Sequence, residues 1–110
     1  MVKDYVPKRG DLIWANFDPQ MGHEQAGRRP ALIISPEKYN RKVGLALMCP
    51  VTSKSKGYPF EVDLDLKIKG VILADQIKSF DWRAREAEFI CEVPTEIIEE
   101  VFAKIQGLIG

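Results

Sequence analysis

The chain has 110 residues, 45% of them apolar, so one domain can bury a core and a second has no room. Its 16 Lys and Arg balance 16 Asp and Glu, and a formal net charge of zero excludes a histone-like polycation. One histidine, His23, and two cysteines, Cys49 and Cys91, exclude a four-ligand Cys/His zinc site and a two-histidine acid–base pair.

The N-terminal MVKDYVPKRG lacks the apolar h-region of a signal peptide, and no run reaches the roughly 18 apolar residues of a membrane span. The cytoplasm is the expected compartment. DLIWANF (11–17) is rich in aromatic and branched residues and predicts a strand after Gly10. The polar stretch 18–29 follows, with Gly22 and Gly27, and a connection this long in a small domain points to function. ALIIS (31–35) is an apolar run between Pro30 and Pro36 and predicts a buried strand. PEKYNRK (36–42) predicts a short helix. LALMCPVT (45–52) predicts another strand. Its Pro50 has no N–H for a ladder, so the sheet is expected to be at an edge or ending there, with Thr52 at the strand end. Cys49 and Cys91 each sit in an apolar stretch, which favours buried reduced thiols over a disulfide.

The clearest alternation is PFEVDLDL (59–66), with Phe60, Val62, Leu64 and Leu66 against Glu61, Asp63 and Asp65. Gly70 is expected at a turn, followed by strand-like 71–75 and 76–82. Residues 84–92 alternate again, with Ala87, Phe89 and Cys91 expected inside. The period then changes. Ile97, Ile98, Val101, Phe102, Ile105, Leu108 and Ile109 form one stripe of an amphipathic helix, with Pro94 in its first turn. Short strands closed by a C-terminal helix predict a small, strongly bent sheet or barrel, mostly β with α.

The zero net charge is unevenly distributed. Residues 1–60 carry ten Lys/Arg against five Asp/Glu, and residues 61–110 carry six against eleven, so the balances are +5 and −5. The basic half holds Arg28-Arg29, Arg41-Lys42 and Lys54-Ser55-Lys56, interleaved with Tyr39 and Tyr58. Arg83 and Arg85, beside Trp82, are a basic outlier in the acidic half. Cations among aromatics suit single-stranded nucleic acid, because phosphates pair with Lys/Arg and bases stack on rings.

GDLIW (10–14), FDP (17–19), EQAGRRP (24–30), SP (35–36), VTS (51–53), KGYPFEV (56–62) and ADQIKS (74–79) occur in order. With these motifs, from about Tyr5 to Gly110, the chain resembles the MazF/PemK family of toxins from type II toxin–antitoxin modules. The resemblance implies one SH3-like β-barrel domain over residues 1–110, with six to seven strands, one short helix and the C-terminal helix. It implies a homodimer that cleaves single-stranded RNA sequence-specifically without metal or other cofactor. The ribose 2′-OH would attack the adjacent phosphate, giving a 2′,3′-cyclic phosphate and a 5′-OH. It also implies a cognate antitoxin whose acidic C-terminal segment covers the RNA site.

By the same resemblance Arg29 is the central catalytic residue and Thr52 its hydroxyl partner. A guanidinium forks onto phosphate oxygens, so Arg29 suits charge stabilisation, with proton donation as a second role. Glu24 is the carboxylate nearest Arg29 in the motif and is a candidate base; His23 is a second candidate. Some family members carry His where this chain has Arg28, which would add phosphate affinity here. Candidate RNA contacts are Arg28, Asn40, Ser53, Lys56, Tyr58, Lys78, Ser79, Arg83 and Arg85. Asp75 and Gln76 are expected to have structural hydrogen-bonding roles. Trp14 is expected in the core or a dimer interface. Two other classes compete. A CcdB-like gyrase poison depends on a C-terminal tail carrying Trp, whereas this chain ends Leu108-Ile109-Gly110. A non-catalytic SH3-like binding module would need no Arg29–Thr52 pair.

Overall fold

The computed structural model describes residues 5–17 and 27–110. In chain order the elements are β1 (Asp11–Phe17), β2 (Gly27–Ile33), α1 (Glu37–Val43), β3 (Ala46–Thr52), β4 (Glu61–Asp65), β5 (Lys69–Leu73), β6 (Lys78–Phe80), β7 (Glu88–Glu92) and α2 (Thr95–Ile109). The strands form a seven-stranded antiparallel sheet in the order β4-β5-β3-β2-β1-β7, with β6 also on β3. The sheet curls into a half-barrel.

The central strands are buried on both faces. Leu12, Leu32, Cys49 and Val51 face a core shared with Val62, Leu64, Ile72, Val101 and Ile105. Their neighbours Ile13, Ala31, Ile33, Ala46 and Met48 face a second core with Phe80 and Trp82. Two covered faces explain why 31–35 and 45–52 read as unbroken apolar runs, whereas β4, covered on one face, alternates. Burial pushes the Cys49 thiol up to about 12, with the Asp75 charge adding to the shift, and both cysteines are free thiols.

Several boundaries differ from expectation, each for a local reason. Strand β2 starts at Gly27, so Arg28 and Arg29 lie on a strand, held by pairing of Asn16 with Arg28 and Ala15 with Arg29. Pro50 is internal to β3. On one flank β6 pairs with residues 46–48 and β5 with 51–52, and Pro50 falls in the gap between them. Thr52 does end the strand. Gly70 is in β5 rather than at the turn, and the chain reverses over residues 66–68. Phe89 is 47% exposed, because β1 pairs Leu12 with Cys91 but Ile13 with Phe89, leaving Ile90 as an extra residue in a bulge. The helical stripe is only partly core: Val101 and Ile105 are buried, while Phe102, Leu108 and Ile109 are exposed.

Asn40 anchors helix α1 from beneath. Ser35 Oγ donates to Asn40 Oδ1, and Asn40 Nδ2 donates to the carbonyls of Pro7 at 2.7 Å and Ser35 at 3.1 Å. Trp82 Nε1 donates to the Asn40 carbonyl, as does the N–H of Gly44, the left-handed residue that closes the helix. Asn40 has no accessible surface, so the expectation that it contacts RNA is overturned.

Candidate active site

The site is built where β2 and β3 separate. Their register pairs Ala31 with Pro50, Leu32 with Cys49 and Ile33 with Met48. Continued two residues outward, that register sets Arg29 across from Thr52. Both are half-buried, and both line a cleft of about 240 Å³ with Trp14, Arg28, Ser53, Ile68 and Lys69. Three cations, Arg28, Arg29 and Lys69, and the hydroxyls of Thr52 and Ser53 therefore share one small concavity, the donor set that a phosphodiester's oxygens require.

Thr52 is fixed from two sides. Its Oγ1 accepts the Lys54 N–H at 3.3 Å, so its own O–H remains to donate. Behind it, Gly70 presses so closely that a Cβ there would run into the Thr52 carbonyl. Only glycine permits that approach, which is the reason for Gly70 inside a strand.

Arg28 and Arg29 are adjacent and line the same cleft. The Arg28 guanidinium donates to Asn16 Oδ1 at 2.9 Å, the Glu86 carbonyl at 3.2 Å and Glu88 Oε1 at 2.9 Å. It ties β2 to β1 and β7, and its charge is already paired with a carboxylate.

A second, larger cleft of about 440 Å³ opens beside Thr52. Lys54, Lys56, Tyr58, Phe60, Asp75 and Gln76 line it with Thr52. Tyr58 is exposed and stacks on Phe60, with ring centroids 5.2 Å apart and planes 28° apart. Glu61 holds the 53–58 segment in place, accepting from Ser55 Oγ at 2.7 Å and from the Lys56 N–H at 3.0 Å. The Ser55 hydrogen bond, together with backbone N–H groups, holds the Glu61 carboxyl below its ordinary value. Burial pushes the Asp75 carboxyl up, and the nearby Glu61 charge adds to the shift.

The other sequence candidates scatter. Ser79 and Arg85 line a third cleft with Asn16, Phe80 and Asp81. Arg83 lies 5.0 Å over the Trp82 ring, on a turn whose N–H groups at Arg83 and Ala84 bond Asp81. Lys78 lies on β6 opposite Met48 and lines none of these clefts. Glu24 and His23 lie outside the described residues. Sequence reading missed Lys69 and Ile68 beside Arg29, and the place of Trp14 in the cleft wall. For Lys69 the available signal was its basic tract next to a strand. For Trp14 there was none.

A family model described as PemK-like, MazF-like toxin of type II toxin–antitoxin system matches residues 8–109. The endoribonuclease toxin MazF of Escherichia coli strain K12 is 54% identical over 111 residues, covering all of both chains. The crystal structure of MazF from Deinococcus radiodurans aligns with a TM-score of 0.92 and 54% identity, covering 97% of this chain and 99% of that one. A MazE–MazF crystal structure from the same organism aligns at 0.87 and 54%, covering 97% and 98%.

Proposed function

The chain belongs to the PemK-like, MazF-like toxin family of type II toxin–antitoxin systems, and we propose that it is an endoribonuclease whose reaction centre is the Arg29–Thr52 cleft. The observation that carries this reading is the cross-strand placement of Arg29 and Thr52 in one concavity.

The reaction is transesterification. The ribose O2′ forms a bond to the adjacent phosphorus as the P–O5′ bond breaks. The O2′ proton passes to a base, for which Glu24 is the candidate and His23 the alternative. Arg29 forks onto the non-bridging oxygens, and the Thr52 hydroxyl donates to one of them as charge builds. The departing O5′ takes a proton, for which the cleft offers Arg29 and Lys69. The products are a 2′,3′-cyclic phosphate and a 5′-OH. No step needs a metal. Ser53, Lys56 and Tyr58 carry the strand beyond the scissile phosphate; Ser79, Arg83, Arg85 and Lys78 serve more distant phosphates. Arg28, paired with Glu88, lines the same cleft and adds phosphate affinity.

The partners fit the same surface. A MazE-type antitoxin with an acidic C-terminal segment would compete with RNA for the cations around Thr52. The toxin acts in the cytoplasm as a homodimer, a second copy covering the apolar area that Leu108 and Ile109 expose on α2.

The test is end-group analysis of RNA cleaved by the purified protein in EDTA. Downstream fragments are expected to carry 5′-OH. A 5′-phosphate would exclude attack by the 2′-OH, and uncut RNA across several sequences would exclude the nuclease reading.

A further inference from the structure

The turn between β6 and β7 carries a glutamate where the backbone calls for glycine. At its start, Asp81 Oδ1 accepts the N–H groups of Arg83 and Ala84. At its end, the Glu86 N–H donates to the Arg83 carbonyl at 3.2 Å and the Ala87 N–H to the Trp82 carbonyl at 2.9 Å. That closing pattern puts the last residue of the turn in the left-handed region, where glycine is the usual choice. Here the residue is Glu86, at φ 56°, the one non-glycine residue with positive φ among the described residues. None of the bonds that close the turn uses its side chain.

What glutamate adds over glycine is a contact outside the turn. Glu86 Oε1 accepts Asn16 Nδ2 at 3.0 Å, and Asn16 Oδ1 accepts Arg28 Nη1 at 2.9 Å. A carboxylate only accepts and a guanidinium only donates, so Glu86 and Arg28 between them dictate which end of the Asn16 carboxamide faces each. Arg28 Nη2 donates to the Glu86 carbonyl at 3.2 Å and to Glu88 Oε1 at 2.9 Å. These bonds occupy three of the five guanidinium N–H groups, which fixes the plane of the group and keeps donors for the cleft. Arg28 lines the cleft of Arg29 and Thr52, whereas Asn16 and Glu86 do not.

Resting on the nuclease reading, we propose that Glu86 is a positioning residue for Arg28. Acting through Asn16 and through its own carbonyl, it holds the guanidinium at the cleft wall, where the group takes a phosphate oxygen of the bound strand. The left-handed backbone is part of the arrangement, because it aims the carbonyl and the carboxylate of one residue at the same pair of side chains. A guanidinium already set in place loses less rotamer freedom when phosphate binds, so the contact is stronger than a free arginine would make.

The experiment compares the full wild-type chain with Glu86→Gly, Glu86→Gln, Arg28→Ala and the Arg28→Ala/Glu86→Gly pair. Glycine keeps the carbonyl and suits the positive φ, so Glu86→Gly is expected to melt no lower than the wild type. Its single-turnover RNA cleavage is nonetheless expected to fall about tenfold. Its binding to 2′-O-methyl RNA, which lacks the attacking hydroxyl, reads the contact without cleavage. There the slope of log K against log salt is expected to shrink by about 0.7, the share of one phosphate contact on a single strand. Glu86→Gln keeps an acceptor oxygen for Asn16 and is expected to restore both. In the Arg28→Ala background Glu86→Gly is expected to change neither. Wild-type rates and slope in Glu86→Gly, a glutamine variant as impaired as the glycine one, or an equal loss in the Arg28→Ala background would overturn the proposal. A wild type that leaves RNA uncut, while its salt slope responds to Glu86 only when Arg28 is present, would instead contradict only the nuclease reading.

Discussion

Asn40 and Gln76 are both carboxamides, yet they sit in regions of opposite design. Beneath α1, Asn40 is fully buried, and its amide N–H groups, amide oxygen and carbonyl all have partners. Beside Thr52, Gln76 is half-buried in a cleft wall with its Oε1 unpaired. The arginine pair joins the two uses on one strand: Arg28 is held by Asn16, Glu86 and Glu88, and with Arg29 it lines the concavity shared with Thr52. Polar groups satisfied within the chain build the frame. Those gathered around an open cleft are available to a ligand. Residue type alone does not separate the two uses; the surroundings do.

The sharpest way to break this contrast is to truncate one member of each region. Arg29→Ala is expected to lower single-turnover RNA cleavage by about 10²–10³-fold with the thermal midpoint nearly unchanged. Asn40→Ala is expected to do the reverse. It leaves the Pro7 and Ser35 carbonyls and the Ser35 hydroxyl without their partner, costing about 3 kcal/mol in a urea titration while the folded fraction keeps its activity. Equal effects of the two substitutions on activity would erase the distinction.

Gly70→Ala lies between these extremes. The added Cβ displaces the Thr52 backbone, so about 2 kcal/mol of stability and roughly tenfold in cleavage should be lost together. Full activity in that variant would show that Thr52 tolerates displacement. The smallest effect concerns Glu61. Its carboxyl titrates below the ordinary 4.5, so its hold on the 53–58 segment is complete above that pH and is lost as the pH falls through the lowered value. Amide exchange at Lys56 should quicken over that acid range, and Glu61→Gln should remove the pH dependence.

Much of the frame was legible before any coordinates. The apolar runs 31–35 and 45–52 announce strands buried on both faces, and PFEVDLDL announces one buried on a single face. The change to a three-and-four spacing after Pro94 marks α2. The failures share a cause. Gly27, Arg28, Arg29 and Pro30 have no strand propensity and become a strand only through pairing with β1. Pro50 is tolerated because two different strands share one flank of β3, a fact of topology rather than composition. The extra residue at Ile90 breaks an alternation that looked regular.

The site was legible to the same degree. Arg29 and Thr52 stand out within motifs, and their meeting follows from the β2–β3 register. Asn40 read as a base contact because its sequence neighbours are basic and aromatic, whereas its real neighbours, Pro7, Ser35 and Trp82, come from other parts of the chain. Nothing within the segment of Gln76 reveals that it lines one cleft with Tyr58 and Phe60.

The central claim is that Arg29 and Thr52 act on one phosphate as a unit. A double-mutant cycle of single-turnover cleavage rates for Arg29→Ala, Thr52→Ala and the combined variant tests it most directly. Groups that act together are non-additive, so the combined variant is expected to be about as slow as the slower single one. A combined loss equal to the product of the two separate losses would contradict the claim and place the two residues at independent tasks.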